Sequence, residues 1–451
     1  MHYIAKVRKG DHLKLVISAL DEEAAGVATQ DGVRVHVAGA LPDEEIDAVV
    51  AHVSPHRPDA WAALGEVTRP SPARVAPVCP AYGACGGCTL EHMAYARQLE
   101  WKKEHVVAAL ERAGVTAPVA ACVASPRPLG YRNKSKLVFA ESDGRPVLGA
   151  YAPRSHRVVD LSGCRVAEPP LDDVATTLRE LFAQHHVLGY DERTGEGLLR
   201  YAILRVNHLG QVLATLVTAS DVFPDGEAIA RALVSARPEV VGVVQNINRS
   251  RGNALYGDEE RTLAGESSLP DQVGAVQLRL SSTAFFQVNR EVAARIYADV
   301  TEAAALTGTE RVVDAYAGVG GIALTLARGA AEVVGIEEHP RAVADAQAAA
   351  QMNHATRVRF VIGDVEAELH KLGAADVVVL NPPRRGCAQA VLRAAASMKP
   401  RLIVYVRCAP DTLARDLALL AKDGFVTRSV VPYDMLPQTP HVESLAVVTP
   451  A

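Results

Sequence analysis

From about residue 281 the chain repeats a pattern that few folds accept, in which short apolar runs alternate with Ala-rich helical stretches. The runs are Arg311-Val-Val-Asp-Ala-Tyr, Glu332-Val-Val-Gly-Ile-Glu, Arg359-Phe-Val-Ile-Gly-Asp, Asp376-Val-Val-Val-Leu, Leu402-Ile-Val-Tyr-Val and Ser444-Leu-Ala-Val-Val. Strands this continuously apolar need cover on both faces, and the helices between them supply it. A doubly wound, Rossmann-like α/β domain is therefore expected over 281–451. Ligands of such sheets bind at the carboxyl ends of the strands, and the residues at those ends carry the chemistry.

The first strand runs into Asp314-Ala-Tyr-Ala-Gly318-Val-Gly320-Gly321 and then the helix Ile322-Ala-Leu-Thr-Leu-Ala. Glycines there let backbone approach a ligand and turn sharply into the helix. The loop lacks the G-x-G-x-x-G of dinucleotide sites and has instead the strand-end acid and compact G-x-G of S-adenosylmethionine methyltransferases. Glu337 ends the next strand, where an acid can hold ribose hydroxyls. Gly363-Asp364 and Asn381-Pro382-Pro383 follow in order. An N-P-P-aromatic motif marks amino-group methyltransferases, but Arg384 stands where the aromatic would be.

Two further segments make sense together: Tyr405-Val-Arg407-Cys408-Ala409-Pro and Pro437-Gln-Thr-Pro-His-Val-Glu443-Ser. A thiol and a carboxylate at the ligand-binding edge suggest a nucleophile and a base. A lone Cys is more often core filler; the cofactor loop on the same sheet changes that balance. Elsewhere, Cys79-x5-Cys85-Gly-Gly-Cys88 has spacing that lets several thiolates face one point, with Cys164 as the best fourth ligand. Four thiolates suit zinc or an iron–sulfur cluster. Cys122 and Cys387 read as isolated small side chains.

At 451 residues the chain should hold two or three domains. Residues 1–68 read as short strands with turn signals such as Asp31-Gly32, a small OB-like β-barrel of the kind that binds oligonucleotides. A proline-rich linker follows, then a helix over Glu91 to Arg112 stopped by Gly114, within a central α+β domain over 69–280. The net charge of −5 does not advertise a nucleic-acid binder, yet local patches decide such binding, and Arg127-Pro-Leu-Gly-Tyr-Arg132-Asn-Lys134-Ser-Lys136 is one. No apolar block suits a signal peptide or a membrane span, and seven Cys in so long a chain do not fit a secreted disulfide scaffold. A cytoplasmic monomer is the expectation.

Together these residues resemble the RNA 5-methyluridine methyltransferases, over nearly the whole chain. The resemblance implies a TRAM-like RNA-binding domain at the N-terminus, a [4Fe–4S] cluster on Cys79, Cys85, Cys88 and Cys164 in preference to zinc, and RNA as partner, ribosomal sooner than transfer RNA. It implies that Tyr316, Gly321, Glu337 and Asp364 line the S-adenosylmethionine site, with Gln287 of Phe285-Phe-Gln-Val-Asn touching the cofactor and Asn381 beside it. Cys408 would be the nucleophile and Glu443 the base. The chain departs from the family at Asn381, where Asp is usual, and at Arg407 and Ala409, which flank Cys408 in place of Ser and Asn. Those departures keep two other readings open: methylation of an amine, and a degenerate RNA-binding assembly factor.

Overall fold

The structure, a computed structural model, describes residues 7–142, 144–252 and 254–451; residues 1–6, the start of the stretch read as lacking a leader, lie outside it. It is a multidomain α/β protein. The C-terminal sheet has seven strands, numbered here in chain order: β1 (Arg311–Ala315), β2 (Glu332–Glu337), β3 (Val358–Ile362), β4 (Val377–Leu380), β5 (Leu402–Arg407), β6 (Phe425–Tyr433) and β7 (Glu443–Pro450). Their order across the sheet is β3-β2-β1-β4-β5-β7-β6. Strands β1 to β5 are parallel, and β7 runs antiparallel between β5 and β6. The chain moves outward from β1 to β3 and then returns to the other side of β1, so a topological switch point opens between β1 and β4.

Valine-rich strands build this sheet because both of its faces are covered. Val313 and Val378 join a core with Leu369, Leu392 and Leu417 on one side. Their neighbours Val312 and Val377 join Ile296, Val300 and Leu326 on the other. β6 was not legible in the sequence: its residues Thr427, Arg428 and Ser429 interrupt the apolar run with polar ones.

Two pieces from earlier in the chain complete this half. The helix Tyr95–Arg112 starts four residues later than expected, because Leu90 and Met93 form a buried turn whose carbonyls both accept from Gln98 Nε2, at 3.1 and 2.8 Å. Gly114, at φ +70°, ends it as anticipated. Its Val106, Ala109 and Leu110 pack into the C-terminal core. Residues 118–123 then run beside β6: the Ala120 N–H donates to Val430 O at 2.9 Å and the Val123 N–H to Pro432 O at 2.8 Å.

The middle of the chain forms a second seven-stranded sheet, ordered Glu259–Gly265, Val240–Ile247, Val212–Thr218, Leu199–Val206, Lys134–Ser142, Arg145–Tyr151, Val158–Asp160. The helices Pro169–Gln184 and Gly226–Ala236 cover one of its faces. A six-stranded sheet precedes it, in the order His12–Val16, Glu45–Val53, Asp59–Arg69, Val33–Val37, Gly26–Gln30, Ala19–Leu20. Asp31 and Gly32 make its tight turn with φ of +52° and +80°, as the sequence signal required. Its fully buried Glu44 accepts from Arg74 of the linker at 2.5 and 2.7 Å.

Candidate active site

The loop after β1 is tightly determined. Tyr316, Gly318 and Gly320 all have positive φ, at +67°, +54° and +86°. A Cβ on Gly321 would meet Tyr297 Oη at 2.4 Å, so only glycine fits there. The Gly318 N–H donates to Glu337 Oε2 at 3.0 Å and the His339 N–H to Glu337 Oε1 at 2.9 Å. Glu337 therefore ties the loop to the end of β2. Asp364, exposed at the end of β3, caps the next helix by accepting from the Ala367 N–H at 3.1 Å.

Asp314 is 1% exposed, and neither carboxyl oxygen completes a hydrogen bond. Burial pushes its carboxyl up to about 7, the Ala323 amide pulls the other way, and the Glu337 charge adds to the rise. A buried polar group left open at a strand end is expected where a ligand finishes the site. Across the switch point, Asn381 ends β4, and its N–H donates to Ala315 O at 3.4 Å. Gln287 follows the strand Val276–Ser281, and its carbonyl accepts from Asn133 Nδ2 at 3.0 Å. That bond joins the Phe285-Phe-Gln287 element to the Tyr131-Arg-Asn133-Lys134 motif. Phe285 presents its ring to solvent, 75% exposed.

Cys408 and Glu443 come together at the same edge. Arg407 on β5 pairs with Ser444 on β7, so Cys408 and Glu443 are the next positions along that ladder. The Glu443 carboxyl is 5% exposed. Burial pushes it up to about 8, against the pull of the Arg407 and Arg384 guanidiniums. The half-buried Cys408 thiol is raised by burial and then by the Glu443 charge, and the same two arginines ease it. A thiol whose ionisation a neighbouring carboxylate disfavours, beside a carboxyl that burial keeps protonated, makes a pair able to exchange a proton with a substrate placed between them.

Residues that the sequence did not flag, Gln98, Lys102 and Asp434, join Tyr131 in holding the segment that leads to Glu443. The fully buried Lys102 pairs with the fully buried Asp434, and its Nζ also donates to Leu436 O at 3.2 Å. Tyr131 Oη donates to Pro437 O at 3.1 Å. Gln98 Nε2 donates to Gln438 Oε1 at 2.9 Å, and the Gln438 N–H returns to Gln98 Oε1 at 3.1 Å. The available signal was Lys102 on the apolar side of a helix, which demands a buried partner. Cys387 is likewise not isolated: Tyr405 Oη lies 3.3 Å from its Sγ and donates to Asp416 Oδ2 at 2.6 Å. Tyr316 of the glycine-rich loop lies near enough to Cys387 for the Cys387 charge to add to the rise that burial gives its hydroxyl.

Cys79, Cys85, Cys88 and Cys164 are all free thiols and half-buried. Burial pushes Cys88 up to about 12, and the charges of Cys164, Glu91, Cys79 and Cys85 add to it. Cys85 is raised by burial too, with Cys164 and Cys79 contributing. Cys164 is therefore near enough to Cys85 and Cys88 to act on them through its charge, and thiols are the donors that suit a soft metal centre. Among the described residues no three His, Cys, Asp or Glu side chains stand together at metal-ligating distance. A separate cavity of about 500 Å³, lined in part by Arg328, His354 and Arg357, shares no residue with the glycine-rich loop or the Cys408 edge.

Known proteins with similar sequences decide the family. Residues 281–399 match the family model Methyltransferase small domain, and residues 364–449 match tRNA (Uracil-5-)-methyltransferase. An uncharacterized RNA methyltransferase of Geobacter sulfurreducens is 42% identical, over 98% of this chain and 90% of its own. The chain belongs to the RNA 5-methyluridine methyltransferase family. Another family relative, an uncharacterized RNA methyltransferase of Halalkalibacterium halodurans, is 38% identical over 98% of both chains. Among solved structures of this family, the Pyrococcus abyssi tRNA (uracil-54, C5)-methyltransferase in complex with S-adenosyl-L-homocysteine superposes with a TM-score of 0.79 and 27% identity. That match covers 97% of this chain and all of the other.

Proposed function

We propose that the protein transfers a methyl group from S-adenosylmethionine to carbon 5 of a uridine in structured RNA, through a covalent bond to Cys408. The observation that carries this reading is the meeting of Cys408 and Glu443 at the carboxyl edge of the sheet that holds the glycine-rich loop. Carbon 5 of uracil is a weak nucleophile. Addition of the Cys408 thiolate to carbon 6 moves an electron pair onto the carbonyl system, and the resulting enolate attacks the methyl carbon through carbon 5. S-adenosylhomocysteine leaves. Glu443 then takes the carbon 5 proton, and the returning electrons expel the thiolate. The uridine must be extruded from any stack, because its attacked face is covered in a helix.

In this reading Gly321, Tyr316, Glu337, Asp364, Gln287 and Asn381 shape the cofactor pocket. Cys79, Cys85, Cys88 and Cys164 would hold a [4Fe–4S] cluster, which serves to order the middle of the chain against RNA. Three units, 1–68, 69–280 and 281–451, divide the work. The first is a TRAM-like barrel: the outer strands of its sheet order, His12–Val16 and Ala19–Leu20, are separated by only two residues, so the chain itself can close the ring. Large-subunit ribosomal RNA is the favoured substrate, on the joint presence of that unit and the cysteine motif. The protein is read as a cytoplasmic monomer; among the described residues no helix is long and apolar enough to cross a membrane.

With S-adenosylmethionine present, RNA carrying 5-fluorouridine should form a stable adduct with the wild-type protein, since after methyl transfer that base has no removable proton at carbon 5. Cys408→Ala should form none and lose about 10⁴-fold or more in methylation rate. Normal carbon 5 methylation by Cys408→Ala would overturn the mechanism, and methyl groups mapped to an exocyclic nitrogen would select the amine reading. Mapping 5-methyluridine in cellular RNA with and without the gene names the substrate. Anaerobically purified protein should be brown, and Cys85→Ser should lose that colour and weaken RNA binding.

A further inference from the structure

Arg407 is the side chain this site accommodates at greatest cost. It is 1% exposed and among the largest side chains buried so deeply. All its hydrogen bonds go to neutral oxygens: Nε donates to Thr412 Oγ1 at 2.8 Å, and Nη1 donates to the carbonyls of Pro382, at 3.1 Å, and Pro383. Its Nη2 is buried with no partner. A buried cation surrounded by neutral groups is expensive, and an anion developed nearby would offset that cost.

Two such anions are adjacent. Arg407 precedes Cys408 in the chain, and its ladder partner Ser444 follows Glu443. Cys408 follows the last residue of β5, and none of the hydrogen bonds of Arg407 goes to it. The guanidinium therefore acts on the thiol through its field and through the turn it grips, not by touching it. We infer that Arg407 is a positioning cation: clamped on the Asn381-Pro-Pro turn, it supplies the fixed positive field under which Cys408 and Glu443 become anions. This deepens the proposed function and rests on reading those two residues as nucleophile and base.

The charges that bear on the pair are Arg407 from β5 and Arg384 from the turn after β4, together with the effect of the Glu443 charge on Cys408. Arg384 is exposed, so solvent screens it and its side chain is free to reorient. Arg407 is held at three hydrogen bonds in a dry setting, where a preoriented charge acts most strongly.

The test is the pH dependence of Cys408 alkylation by iodoacetamide, read on the Cys408 peptide by mass spectrometry in the full-length protein without RNA. Arg407→Gln and Arg407→Met should each raise the midpoint by about one pH unit or more, the size of shift a nearby charge produces. Cys122 serves as the unshifted internal control. Arg407→Lys, which keeps the charge, should track the wild type. Either neutral variant that melts cooperatively decides the matter. An unmoved midpoint there, or a full-unit shift in Arg407→Lys, overturns the inference. Trapping with 5-fluorouridine RNA on the same samples separates the two ideas. A wild type that traps while the midpoint stays put sinks only the role of Arg407; a wild type that fails to trap while the midpoint moves sinks the nucleophile.

Discussion

Burying Glu443 has a thermodynamic consequence that can be measured without any substrate. Its folded carboxyl titrates at about 8 against an ordinary value of 4.5. The folded state therefore favours the protonated form. The associated stability is fully present below about pH 4.5 and is lost as pH rises through about 8. Glu443→Gln, which cannot ionise, should match the wild type at about pH 4 and exceed it by a few kcal/mol at about pH 9. Denaturant melts at the two pH values check this, and equal wild-type and variant curves at pH 9 would show that the carboxyl is not held neutral by the fold. The same variant should methylate and then stall, leaving RNA attached to Cys408, because nothing removes the carbon 5 proton. Residue types and their order at strand ends were legible in the sequence, since Cys408, Glu443, Asp314 and Glu337 sit in motifs. Partnerships were not. Nothing local to Cys387 announces Tyr405 and Asp416, and Gln98 reveals Gln438 only once the chain is folded.

At the level of elements, the buried Lys102–Asp434 pair pins the helix Tyr95–Arg112 to the segment that delivers Glu443. Both side chains are 0% exposed. Removing one partner strands the other charge in the core, so Asp434→Ala should cost roughly 3–5 kcal/mol. The double change Lys102→Met with Asp434→Leu should recover most of that loss. Urea unfolding of the three variants is the check, and a single variant within about 0.5 kcal/mol of wild type would contradict it. The alternation of apolar runs and helices was enough to read β1 to β5 and β7, because burial on both faces leaves an unmistakable composition. It failed for β6, where polar residues break the run. It failed also for Glu45–Val53 and Asp59–Arg69, whose burial alternates and whose register shifts several times. The start of the helix at Tyr95 was missed because Leu90 and Met93 look helical in pattern, yet are spent on a turn.

Across the whole molecule, the C-terminal sheet is not self-sufficient. Residues 118–123 cover the outer edge of β6, and the helix Tyr95–Arg112 fills one face of the C-terminal core. A fragment spanning 281–451 would expose that edge and that face, so it should aggregate. A fragment spanning 70–451 keeps both and should remain monodisperse by size exclusion with light scattering. A monodisperse 281–451 fragment would show that the earlier elements merely lean on the sheet. The cross-linking of distant segments also bears on how this chain can change over generations. The bonds from Gln98, Lys102 and Tyr131 to residues 434–438 mean that the ground under Glu443 is encoded at two far-separated places in the gene. A library randomising 434–443 alone will return mostly inactive clones. One that varies positions 98, 102 and 131 along with them can cross between working solutions, since each tolerated change at one end waits on its counterpart at the other.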